Sequence, residues 1–126
     1  MTQEIDAGAE FVREFDKYKP VKAAFWLKES DDDRYYLYVT SDQIDTADVR
    51  AAYGEVVRLA NRMNSPFFDM FRVKVVRGSH PLAQEAAEIL ARYPSPVATR
   101  LGGRQFGGVF VDDVYLYPSP LPAAAL

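Results

Sequence analysis

The sequence predicts an α+β fold in the order α-β-β-α-β-α-β-β, with a mainly antiparallel sheet of about five strands and the helices packed on one face. Three observations predict it. Apolar residues recur at helical spacing in three stretches. They alternate at a period of two in five others, the strand pattern. Proline, glycine and asparagine punctuate the joins.

The first helix is expected over residues 3–18, where Ile5, Ala9, Val12 and Phe15 share a stripe that Phe11 and Tyr18 widen. Pro20 ends it. Residues 21–28 and 34–40 alternate as strands and form a hairpin across the polar loop 29–33. Asp45 or Thr46 then caps a second helix that reaches about Met63, with Val49, Ala52, Tyr53, Val56 and Leu59 inward. Asn64-Ser65-Pro66 stops it. A third strand covers 70–77. Ser79-His80-Pro81 opens a third helix, with the proline where no amide donor is missed. Residues 97–101 and 108–117 are the last strands, joined by a glycine-rich turn. Asp112-Asp113 interrupts the final strand, as a bulge or as a second tight turn. Residues 1–117 therefore read as one domain, and the Pro/Ala-rich stretch 118–126 as a flexible tail.

Size and composition limit the function classes. A chain of 126 residues buries roughly two thirds of its unfolded surface and folds without a metal or disulfide. It has no cysteine, so disulfides, thiolate zinc sites and a cysteine nucleophile are excluded. The acidic start has no secretory h-region, and no apolar run approaches the roughly 20 residues that span a bilayer. A soluble cytoplasmic protein without membrane contact is the expectation. Fifteen Lys and Arg against eighteen Asp and Glu leave a net charge of −3, which disfavours a dedicated duplex-DNA binder.

The strand alternation sorts side chains onto two faces. One is expected to carry Trp26, Tyr36, Tyr38, Phe110, Tyr115 and Tyr117, with Lys22, Lys28, Arg72, Lys74 and Arg100. The other takes aliphatic residues, together with Phe25 and Phe71. An aliphatic face suits a core, and an aromatic and basic face suits a partner. The leading expectation is thus a non-enzymatic interaction or accessory domain that self-associates, or docks another protein, through the aromatic face. Single-stranded nucleic acid on the same face is the second reading, because bases stack on aromatics while Lys and Arg neutralise phosphates.

The segment Leu101-Gly-Gly-Arg-Gln-Phe-Gly-Gly108 motivates a third reading, a nucleotide or phosphorylated ligand held by Arg100, Gly102, Gly103 and Arg104. It feeds a strand rather than a helix N-terminus and lacks the Gly-Lys-Ser/Thr ending of a P-loop, so a hairpin turn is the simpler assignment. Arg104, Phe106, Gly107 and Val109 match part of the strand signature of RNA-recognition motifs, over eight residues and in a different element order. His80, the only histidine, suits a helix cap. Asp31-Asp32-Asp33, Asp42 with Asp45, and Asp112-Asp113 lack the spacing of a calcium loop. No catalytic residue, metal ligand or cofactor is assigned.

Ala23-Ala24-Phe25-Trp26-Leu27, Arg34-Tyr35-Tyr36-Leu37, Gly107-Gly108-Val109 and Asp113-Val114-Tyr115-Leu116-Tyr117 resemble a group of small bacterial proteins of unknown function. The resemblance extends over most of the chain through strand and turn residues. It implies no activity, cofactor or site.

Overall fold

A computed structural model of the protein describes residues 1–122. Its elements are α1 (Thr2–Tyr18), β1 (Ala23–Glu29), β2 (Tyr36–Ser41), α2 (Val49–Met63), a 3-10 turn (Met70–Arg72), β3 (Val73–Arg77), α3 (Pro81–Arg92), β4 (Thr99–Phe106) and β5 (Val109–Leu116). The α+β class and the element order stand as read. The five strands lie in the order β3-β2-β1-β5-β4. Three of the four pairings are antiparallel, while β2 and β3 run parallel, so the sheet is mixed. A parallel neighbour needs a crossover, and α2 supplies it.

The helices do not share one face, which corrects the expected layering. α1 and α2 pack on the side of Ala24, Trp26, Leu37, Val39, Val73 and Val75. α3 packs on the opposite side, where Leu82, Ala86 and Ile89 meet Ala23, Phe25, Leu27, Val114 and Leu116. The strand order shows why. β3 and β4 occupy opposite edges, so the chain between them must cross the whole sheet. One face is already filled by α1 and α2, and α3 takes the other.

The helix boundaries follow local chemistry. His80 caps α3, its Nδ1 accepting from the Leu82 amide at 3.1 Å, with Pro81 next. α2 starts later than expected, because the Asp45 carboxylate accepts from the amides of Ala47 and Asp48 and holds those residues in a turn. Asn64 ends α2 in the left-handed region at φ 47°. On the side that α1 and α2 share, Phe11 of α1 stacks on Phe68, in the connection after α2, with ring centroids 4.7 Å apart. Glu14 of α1 pairs there with Arg62 of α2.

The glycine-rich segment divides in two. Gly102 and Gly103 belong to β4, and Gly107-Gly108 alone make the hairpin, with φ of 57° and 90°. Positive φ at both central residues is the requirement of a tight two-residue turn. Asp112 is a bulge rather than a second turn. β5 pairs Asp113 with Lys28 but Val111 with Glu29, so one residue is skipped against β1. Gly103, at φ 60°, lies beside it in β4, and the β4–β5 register continues unshifted past both.

Residues 118–122, expected within a flexible tail, are held against α1 and β1. Pro118 is buried, the Ser119 hydroxyl donates to the Lys22 carbonyl at 3.0 Å, and the Arg13 guanidinium donates to the Pro122 carbonyl at 3.1 Å. The Ser95 hydroxyl donates to the Pro120 carbonyl at 2.7 Å. The rest of that expectation, residues 123–126, lies outside the described residues.

Candidate interaction surface

The residues expected on one aromatic and basic face are divided between two. Directly paired residues share a face, and the register pairs Trp26 with Leu37 and Phe25 with Tyr38. Tyr36 and Tyr38 therefore lie on the α3 side, and Trp26, Tyr115 and Tyr117 on the α1 side. Alternation is correct along each strand. The offset between strands depends on the turn connecting them, and one residue of offset exchanges the faces.

Three of these six aromatics, Trp26, Tyr38 and Tyr117, are core. Trp26 is 5% exposed and Tyr117 2%. The Trp26 indole donates to the Tyr117 hydroxyl at 2.9 Å, which donates to the Ile5 carbonyl of α1 at 2.6 Å. Burial pushes the Tyr117 phenol pKa well above its ordinary value. Tyr115 stands edge-on to Tyr117 at 5.3 Å. Tyr38 is buried, stacked on Phe25 at 5.2 Å, and that burial raises its phenol to about 12. Lys74 stands 4.5 Å above the Tyr36 ring and 5.7 Å from that of Tyr38, and Arg72 lies 5.9 Å above Tyr36. Phe110 alone of the six is well exposed, at 55%, near the hairpin tip.

The basic residues are largely paired with acids. Lys22 meets Asp42 at 3.2 Å, Lys28 meets Asp112 at 2.7 Å and Arg72 meets Asp69 at 3.6 Å. Arg100 donates two hydrogen bonds to Asp113, which also accepts from the Tyr35 hydroxyl at 2.6 Å. The Arg100 guanidinium, ahead of any other cause, holds the Asp113 carboxyl below its usual range. The hydrogen bond from Lys28 lowers Asp112. The bulge thus gives each adjacent carboxylate its own cation.

The residues considered for a phosphorylated ligand are not brought together. Arg100 lies with Tyr115 on the α1 side, while Arg104 is 3.9 Å from Glu85 of α3. Gly102 and Gly103 form no loop between them, because both continue β4. Among the described residues no three His, Asp or Glu side chains group as a metal site. No described helix is long and apolar enough to cross a membrane.

A different surface is open. At one end of the sheet a groove of about 530 Å³ has a floor and walls of Met1, Trp26, Tyr35, Pro66 and Phe67. Glu4, Asp33, Arg34, Asp69 and Arg72 complete its lining. Phe67 is 44% exposed on its wall. Phe71, between Asp69 and Arg72, is 80% exposed, the most open large apolar residue described.

Phe71 was expected inside β3. The strand begins later, at Val73, because Asp69 accepts from the Phe71 amide at 2.9 Å and turns Met70–Arg72 into a short 3-10 segment. That turn puts Phe71 outside the period of the strand. The available signal was the aromatic density of Phe67, Phe68 and Phe71 in a connection, together with an aspartate two residues before Phe71.

No family model, curated protein or solved structure matches this chain.

Proposed function

We propose that this chain is a non-enzymatic interaction domain that associates with itself, and that the groove with its neighbouring Phe71 is the working surface. The single observation that carries the reading is Phe71 at 80% exposure, next in sequence to Arg72 on the lining of a groove that is part apolar and part charged. A phenylalanine on a short ordered turn loses little freedom on docking and contributes a large apolar area. Aromatic anchors of this kind dominate interface energetics. Phe67, Tyr35 and the edge of Trp26 provide apolar surface, and acids and bases around them provide a polar rim.

The test is light scattering coupled to size exclusion over a wide range of protein concentration. The wild type is expected to reach the mass of two or more chains. Phe71→Ser is expected to elute as a monomer, with thermal unfolding unchanged because the side chain is outside the core. A wild type that stays monomeric at every concentration overturns the proposal.

A further inference from the structure

We infer that the groove receives Phe71 of a second copy in a two-fold arrangement, with Asp33 and Arg34 of each chain pairing reciprocally with Arg34 and Asp33 of the other. The inference rests on the self-association proposed above and specifies its geometry. The ridge and the groove adjoin, since Phe71 is flanked in sequence by two groove-lining residues, Asp69 and Arg72. A two-fold interface uses the same patch on both chains, so a patch with its own projection and recess can match itself.

The charges point to a second copy rather than to a partner of single charge. Asp33 and Arg34 are adjacent, exposed and both on the groove lining. Among the described residues neither has an ion-pair partner, unlike Lys22, Lys28, Arg100 and Arg104. A neighbouring acid and base of this kind match an identical pair turned by a two-fold axis. A uniformly acidic or basic partner would satisfy one and repel the other.

The experiment exchanges these charges and leaves Phe71 in place. Asp33→Arg and Arg34→Asp are made in separate chains, and thermal unfolding checks that each folds. Each variant alone sets like charges against each other, and its dimer is expected to dissociate at about tenfold higher concentration or more. Mixed in equal amounts, one chain carries two bases and the other two acids at these positions, and the mixture is expected to return to dimer mass. Variants that dimerise like the wild type overturn this geometry while self-association stands, as does a mixture that stays monomeric. A monomeric wild type overturns both proposals. Phe71→Ser is the second probe. If it alone leaves the dimer intact, the groove does not receive Phe71.

Discussion

The Trp26 indole N–H donates to the Tyr117 hydroxyl at 2.9 Å, joining the central strand to the residue just after β5 beneath α1. The same hydroxyl donates to the Ile5 carbonyl, so one phenol ties the middle of β1 and the end of β5 to a helix. Gly8 makes room for it. A Cβ there would lie 2.4 Å from the Tyr117 hydroxyl and 3.1 Å from the indole nitrogen.

Gly8→Ala is therefore expected to destabilise, although alanine is the better helix former. The propensity gain is about 1 kcal/mol, and crowding a packed core costs about 1–3 kcal/mol. Tyr117→Phe leaves a buried indole N–H without its acceptor, at about 1–3 kcal/mol. It also removes the atom that Gly8→Ala would strike. The double variant should be more stable than the sum of the two single losses implies, measured by urea denaturation. Additive losses would show that the hydroxyl is not what Gly8 accommodates.

Trp26→Ala is expected to damage the fold itself. The side chain lies between the sheet and α1, and truncating a buried aromatic costs about 3–5 kcal/mol. A large drop in the denaturation midpoint is the predicted readout. An unchanged midpoint would place Trp26 outside the core.

The two glycines of the last hairpin are expected to differ. Both have positive φ, but a Cβ on Gly107 would lie 2.8 Å from the Leu82 backbone, whereas Gly108 has nothing within 4 Å. Gly108→Asn should be tolerated within about 1 kcal/mol, since asparagine enters the left-handed region readily. Gly107→Asn should lose more, because α3 cannot retreat without opening its contact with the sheet. Equal thermal shifts would contradict this.

Tyr117 and Asp113 are expected to make stability depend on pH in opposite senses. Tyr117 has a phenol raised above the ordinary value of 10.0, so its contribution is complete below about pH 10 and is lost as pH rises toward the folded-state value. Asp113 has a carboxyl lowered below 3.8. Its contribution is complete above that value and is lost as pH falls through the folded-state value. Tyr117→Phe should flatten the alkaline limb of a stability profile, and Asp113→Asn the acid limb. Unchanged limbs would show that other groups set them.

The helices, the hairpins and the His80 cap were legible because each depends on residues close in sequence. The faces were less so. Tyr36 and Tyr38 alternate correctly with Leu37, yet which of them joins Trp26 depends on the length and shape of the turn before β2. Covering by α3 was also hidden, because it follows from β3 and β4 lying at opposite edges. An open face was expected where both are packed, and three of the aromatics that suggested a binding surface, Trp26, Tyr38 and Tyr117, are core. Phe71 was misplaced for a local reason, the Asp69 side chain ending the turn before the strand can begin.

The central strand has consequences for how the chain is made. β1 draws one neighbour from residues 36–41 and the other from residues 109–116. During synthesis its second edge stays unpaired until residues 109–116 have left the ribosome, with Phe25 and Leu27 lacking Leu116 and Val114 beside them. A message cut short before β5 would thus yield a product that keeps α1, α2 and α3 but leaves β1 as an unpaired apolar edge and β4 without its neighbour, and such a fragment should aggregate rather than persist as a smaller working protein.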